Sequence, residues 1–448
     1  MSATAASPRA GELVSGPLSR AIIRLALPAV GSALLQLVFL LVDIFWVGRI
    51  LGAAALAAVS TAGYAVWILA SLAEMVGVGL TAVAARRHGE GAHGLAAVVA
   101  GTTLSVAVGG GVVIASLGWL VVPALFAAMG TPADVTELGH RYLSTYLLGA
   151  PLVLGFFAVE ATFRASGDTR TPLALLAVSV VLTVVLDPLL ITGAGPLPAL
   201  GIRGAAIAAV LTRGLVLALG FIILVRRRLV RLSVWDGRSA LTVLRVGAPT
   251  AAYGVFFSAV YIGLSRITAK FGVPALAALG IGHKLEGVSY MVATGFALAS
   301  AALVGQNLGA QRPDRARRAA WLTTGFATTV GIAAALAFIA FPGYLVGVFT
   351  RDPGVVAAGA SYLRIMSIVQ VTMGCEIVLE GALAGAGFTL QPMLWMALFT
   401  AARIPLAAWL VGALGVAGVW WAISVTAVAK GVAMALLWRG DAWQRARV

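Results

Sequence analysis

Apolar residues run through this chain in long blocks rather than in the short alternation of a strand. Uninterrupted apolar stretches fall at 21–47, 54–84, 94–128, 139–165, 171–192 and 203–226, then at 241–268, 274–306, 315–349, 357–384, 391–412 and 416–438. A helix rises 1.5 Å per residue and needs about 20 apolar residues to cross a bilayer. The pattern therefore predicts an all-α polytopic membrane protein with twelve transmembrane helices. Barrel strands are excluded, because they alternate apolar and polar residues over about ten positions and these blocks do not. Several blocks exceed the bilayer thickness and are expected to tilt or project beyond it.

The blocks come in two sets of six. Ala55-Leu56-Ala57-Ala58-Val59 returns as Ala275-Leu276-Ala277-Ala278-Leu279 at a spacing of 220. At the same spacing Gly89, Tyr142, Glu160, Gly167 and Pro172 return as Gly309, Tyr362, Glu380, Gly387 and Pro392. Leu200-Gly201 and Gly204 recur as Leu414-Gly415 and Gly418 at a spacing of 214, so the second copy has lost six residues in one loop. The organisation this implies is an N-lobe at 21–226 and a C-lobe at 241–438, two pseudo-symmetric six-helix bundles. A linker at 227–240 joins them, and tails at 1–20 and 439–448 flank them. Transporters are commonly built from two such repeats.

Charge adds orientation. Charged residues make up 10% of the chain, against about a quarter in a soluble domain, and mean hydropathy is +1.01. The net charge of +15 does not signal nucleic acid, because the basic residues sort by side. With the N-terminus inside, twenty fall on inner loops and tails and seven on outer loops. That bias places both termini in the cytoplasm and the chain as a multi-pass protein of the plasma (inner) membrane. The basic run from Arg226 to Arg231 is then an orientation signal. The first 18 residues hold no apolar core followed by a cleavage site, so no signal peptide is expected. Cys375 is the single cysteine, which leaves no internal disulfide.

Acidic residues inside apolar spans are costly and usually face a cavity or a partner. Seven qualify: Asp43, Glu74, Glu160, Asp187, Glu286, Glu376 and Glu380. Asp43 follows Pro28 by 15 residues and Asp187 follows Pro172 by 15, roughly 22 Å along each helix. Both helices run outward, so the carboxylates are expected at matching depth in the outer half of the membrane. If the helices are neighbours, the two acids can share a proton or one cation, because like charges in a low dielectric repel. The positions 220 residues later are Gly263 and Ala407, so the repeated scaffold does not require these acids.

Gln36, two turns before Asp43, lies on the same face. Glu160 is expected to pair with Arg164 one turn on. Glu376 and Glu380 share a face with no fixed cation on that stretch, which suggests a second protonatable site. Glu286 is expected to pair with Lys284 or His283. Pro28 removes a backbone hydrogen bond and permits a kink, a candidate hinge for moving Asp43.

Other chemistry is scarce. No phosphate loop G-x-x-x-x-G-K-[ST] and no H-E-x-x-H pair occurs, and the four histidines are scattered. Gly77, Gly79 and Ala82 fit a dinucleotide loop only by spacing, inside an apolar span. The expectation is a transporter, not an enzyme, with no cofactor and no metal, run on an ion gradient.

Asp43-Ile44-Phe45-Trp46-Val47-Gly48-Arg49-Ile50-Leu51-Gly52 resembles the first-helix signature of the multidrug and toxic compound extrusion transporters. So do Ala84-Ala85-Arg86 to Gly89, Gly167-Asp168-Thr169 with Pro172, Leu186-Asp187-Pro188-Leu189-Leu190 and Val304-Gly305-Gln306-Asn307-Leu308-Gly309-Ala310. The resemblance implies two lobes around a V-shaped cavity, and secondary antiport of organic, cationic or lipophilic drugs and metabolites against protons or sodium by alternating access. It also implies that Asp43 and Asp187 form the N-lobe coupling site and that helix 1 bends at Pro28. One departure is Thr183, where the family usually has asparagine four residues before the helix 5 aspartate. Sodium wants several oxygen ligands and a proton wants one poised carboxylate, so Thr183 leans the coupling ion toward H+ over Na+. Glu286, Glu376 and Glu380 are the supporting acids in the C-lobe. The expected partners are a small organic substrate and the lipid bilayer, with no nucleic acid and a monomeric chain. The runner-up is a lipid-linked saccharide flippase, which would want a strongly cationic cavity.

Overall fold

The structure, a computed structural model, describes residues 13–129, 133–193 and 198–446. Parts of both expected tails, 1–12 and 447–448, lie outside the described residues. No strand occurs among those described, as lipid requires, because a helix satisfies its own backbone polar groups within one segment. The first repeat holds α1 (Leu18–Leu51), α2 (Ala53–Gly89), α3 (His93–Met129), α4 (Ala133–Leu148), α5 (Ala150–Ala165), α6 (Arg170–Thr192) and α7 (Ile202–Arg226). The second holds α8 (Gly237–Ala269), α9 (Val273–Gly309), α10 (Pro313–Ala340), a short α11 (Pro342–Gly347), α12 (Pro353–Met373), α13 (Leu379–Gly385), α14 (Leu390–Leu414) and α15 (Ala417–Arg439).

Among the described residues, eleven helical spans are long and apolar enough to cross a membrane, and the pair α4–α5 makes a twelfth when taken as one. That pair is bent by 50°, where an unbroken span over 139–165 was expected. The cause is in the sequence: Pro151 has no N–H to give the carbonyl of Leu147, so the ladder stops and α5 restarts at Ala150. Pro342 likewise ends the expected 315–349 span after Ala340. The expected 357–384 span carries a π-helical turn at Gly374–Val378 between α12 and α13.

Packing divides the chain into two units, one of Gly31–Ala251 and one of Ala252–Val448 with the beginning of α1 up to Val30. These differ from the expected lobes at two helix ends. The start of α1 packs with the second unit, and the start of α8, up to Ala251, with the first. The changeovers come just after Pro28 and Pro249, the prolines inside α1 and α8.

In the first unit α5 packs against α2, α3 and α7, and α6 against α7. Apolar over most of its surface, with its one acid and one base paired to each other, α5 belongs in a core, and Phe156 and Phe163 on it are fully buried. In the second unit α9, α10, α12 and α15 enclose Leu264, Tyr362, Leu363 and Trp420, each fully buried. The repeat seen in the letters is also a repeat of backbone: Gly201 and Gly415 take φ of +56° and +57° at the same corner before α7 and α15. Only glycine takes this conformation without strain, so the Leu-Gly pair recurs for a conformational reason.

At the ends of the spans, polar side chains start helices. Asp168 accepts from the amides of Arg170 and Thr171 at 3.0 and 3.1 Å, capping α6. It also accepts from the Thr171 hydroxyl and the Arg227 guanidinium at 2.6 Å each. Burial alone would raise its pKa, but Thr171 and Arg227 together hold the carboxyl below the usual range. This accounts for the Gly167-Asp168-Thr169 motif as a helix cap clamped to the end of α7.

Candidate functional site

In the first unit, α1 and α6 bring Asp43 and Asp187 into the protein interior. Asp43 is 4% exposed and Asp187 fully buried. The Tyr142 hydroxyl, on α4, donates to Oδ2 of Asp43 at 3.2 Å. Oδ1 of Asp43 and both carboxylate oxygens of Asp187 have no hydrogen-bond partner among the described residues. The two acids are within electrostatic reach of each other and of Tyr142. Thr183 is fully buried one turn before Asp187, its hydroxyl donating to the Ser179 carbonyl at 2.9 Å and lying 3.5 Å from the Thr212 hydroxyl. Gln36 points inward as its helical register predicts, but its Oε1 accepts from Arg213 Nη2 at 3.0 Å. Glu160 and Arg164 form the expected pair, at 2.7 Å.

The second unit builds a related arrangement with other chemistry. Tyr362, the counterpart of Tyr142, donates to Glu286 at 3.0 Å. The expected partners are not used: Lys284 is exposed, and His283 stands edge-on to Tyr261 with ring centroids 4.7 Å apart. Residues two apart on a helix do not face one another, which is why Lys284 cannot serve. Glu376 sits on the π-helical turn and forms an ion pair with Lys430 of α15, both largely buried. The expectation of two acids without a cation, Glu376 with Glu380, is corrected by that ammonium, which comes from 54 residues away. Arg403, 2% exposed, donates from Nε to Thr426 at 2.9 Å and from Nη1 to Tyr261 at 3.0 Å. Arg403 stands at the repeat position of Thr183 and Thr426 at that of Thr212.

The MatE family model matches the chain twice, over residues 28–189 and again over 242–409. The chain belongs to the MatE family. Its members are the multidrug and toxic compound extrusion (MATE) transporters, and the two matches are its two repeats. The chain is 31% identical to the probable multidrug resistance protein NorM of Deinococcus radiodurans over 394 residues, 84% of each chain. It is 29% identical over 381 residues to a FAD transporter of Shewanella oneidensis, covering 83% of each. Among solved structures, an outward-facing multidrug resistance MATE family transporter superposes with a TM-score of 0.89 at 23% identity, over 98% of both chains.

For a MATE chain, the interior holds more positive charge than the acid-centred reading above anticipates. Arg213, Arg403 and Lys430 are each 96% or more buried, and none was singled out from sequence. The cost of burying charge in lipid applies to bases as to acids, so the signal was present. Pro28 lies inside a continuous α1.

Proposed function

We propose that this multi-pass transporter is a proton-coupled antiporter that exports small organic compounds by alternating access, with Asp43 and Asp187 as the coupling pair. The observation that carries the reading is the set of three partnerless carboxylate oxygens on these two buried side chains. Two ionised carboxylates without partners are prohibitively costly in a low dielectric. A proton taken up and released in each cycle relieves that cost. Sodium wants several oxygen ligands, and at the position one turn before Asp187 the chain has a threonine hydroxyl, Thr183, in place of an amide. Asn307, the only asparagine of the chain, lies in the second unit.

Pro28 supplies the pivot, since the chain changes unit two residues beyond it and a proline leaves one helical hydrogen bond unmade there. The bias of basic residues toward one side supports cytoplasmic termini, as in a multi-pass protein of the inner membrane. Relatives named for FAD and for multidrug resistance support an organic cargo of moderate size.

The test is dye movement in proteoliposomes under a pH gradient alone or a sodium gradient alone. Transport is expected with the first and not the second, and to be lost in both Asp43→Asn and Asp187→Asn proteins that remain folded. Movement driven only by sodium would overturn proton coupling. Undiminished transport in both variants would remove the pair from the mechanism.

A further inference from the structure

Arg213 of α7 is 4% exposed in the interior of the first unit and belongs to no ion pair among the described residues. Its guanidinium carbon lies 4.3 Å from the ring centroid of Phe39 and 4.8 Å from that of Phe156. Such rings are uncharged and take no hydrogen bond in the plane of the fork, which leaves its edge for other partners. On that edge Nη2 donates to the neutral amide oxygen of Gln36 at 3.0 Å, and Nη1 is buried with no partner. Neither Glu160 nor Asp43 is bonded to it among the described residues. Glu160, whose field reaches Arg213, is bonded to Arg164 at 2.7 Å. Asp43 takes its hydrogen bond from Tyr142.

An arginine always keeps its charge, and its planar fork matches the oxygens of a carboxylate, sulfonate or phosphate. A cation held by neutral groups in a low dielectric, with one donor unfilled, is a site lacking its anion. Gln36 is half-buried and occupies half of the fork with an uncharged oxygen, the contact an anionic oxygen would replace. The second unit holds another buried arginine among rings and neutral oxygens. Arg403 is 2% exposed, held by the neutral oxygens of Thr426 and Tyr261, and stands 5.8 and 5.5 Å from the rings of Phe257 and Tyr261.

We propose that Arg213 is a cargo-docking residue and that this transporter selects organic anions, the anionic group displacing Gln36 from the guanidinium. The proposal rests on the exporter reading above and names its substrate class, the opposite of the cationic class expected from the acids alone.

Two xanthene dyes of opposite charge test it: sulforhodamine B, a net anion, and rhodamine 123, a cation. Each is titrated into purified full-length protein with binding read by fluorescence polarisation, then assayed for pH-driven movement in proteoliposomes. Sulforhodamine B is expected to bind the more tightly. Arg213→Gln is expected to weaken it roughly ten- to a hundredfold, the range of a charge-assisted hydrogen bond, while rhodamine 123 changes less than twofold. Arg213→Lys, which keeps the charge and loses the fork, is expected to recover part of the loss. The proposal is overturned if sulforhodamine B does not bind, if Arg213→Gln leaves its affinity unchanged, or if both dyes weaken together in both variants, which marks a purely structural arginine. If rhodamine 123 is bound and carried and sulforhodamine B is not, anion selection fails and the antiporter stands. If sulforhodamine B binds through Arg213 but no pH gradient moves it, the docking residue stands and proton coupling fails.

Discussion

Glu376 and Lys430 permit a quantitative test of which interior charges hold the protein together. Their side chains are 11% and 3% exposed, and the ammonium donates to the carboxylate across the gap between the π-helical turn and α15. Glu376→Gln leaves Lys430 buried without a counter-charge, with the Arg403 guanidinium within electrostatic reach. Removing one partner of a buried pair costs about 3–5 kcal/mol. For a unit of this size that lowers the unfolding temperature by on the order of ten degrees. Replacing both partners, as Glu376→Gln with Lys430→Met, removes the stranded charge, and the double variant is expected to return to within about 1 kcal/mol of the parent. Since either single replacement strands one charge at about 3–5 kcal/mol, the coupling energy of the cycle is about 5–9 kcal/mol, close to the sum of the two single losses. The assay is thermal unfolding of detergent-purified protein followed by size-exclusion fluorescence, with dye transport measured on the same preparations. A single variant that unfolds at the parent temperature, or a double variant less stable than either single one, would refute the reasoning. Retained transport in the stable double variant is the expected sign that this pair is structural and that the coupling acids lie in the first unit.

Three other outcomes follow from particular contacts. A Cβ on Gly79 would lie 2.0 Å from the Val243 carbonyl oxygen and one on Gly247 1.9 Å from that of Met75, so α2 and α8 meet backbone to backbone. Gly79→Ala or Gly247→Ala is expected to cost about 1–3 kcal/mol by overpacking, visible as a lower unfolding temperature, while Gly63→Ala, with nothing within 4 Å, leaves it unchanged. Asp168 has a depressed folded-state pKa, so its contribution is complete above the unfolded value of about 3.9 and fades as pH falls through the folded value. Asp168→Asn should therefore destabilise by about 1–2 kcal/mol at pH 7, with the gap to the parent closing at acid pH in the same melting assay. Trp443 is fully buried, stacks on Trp438 at a centroid distance of 4.0 Å and donates to its carbonyl at 3.0 Å. Trp443→Ala should cost about 3–5 kcal/mol and reduce the yield of folded protein.

The bundle was legible in the sequence because lipid leaves few choices. A backbone with no water around it folds as a helix, and the recurrence at 220 residues fixes how many helices form a lobe. Local chemistry was legible wherever both partners lie on one turn, as with Glu160 and Arg164. What one sequence does not reveal is which side chains meet across helices. Tyr142 reaches Asp43 over 99 residues, Lys430 reaches Glu376 over 54, and Arg213 reaches Gln36 over 177. The expected Glu286 partners failed for that reason, since a near neighbour in sequence was preferred to Tyr362, 76 residues away.

The repeat held more information than was drawn from it. Tyr142 donates to a buried acid and Tyr362 to a half-buried one, yet the acids come from non-equivalent helices, α1 in the first unit and α9 in the second. One repeat position holds Thr183 beside the Asp187 site and Arg403 in the second unit. A scaffold duplicated in backbone, down to the left-handed corners at Gly201 and Gly415, thus carries different charges at matching places. Duplication supplies the frame for two bundles, and the positions where the copies disagree in charge mark what each has come to do. By that measure Asp43 with Gly263, Asp187 with Ala407 and Arg213 with Ala427 set the first unit apart, and Arg403 with Thr183 and Lys430 with Val216 the second.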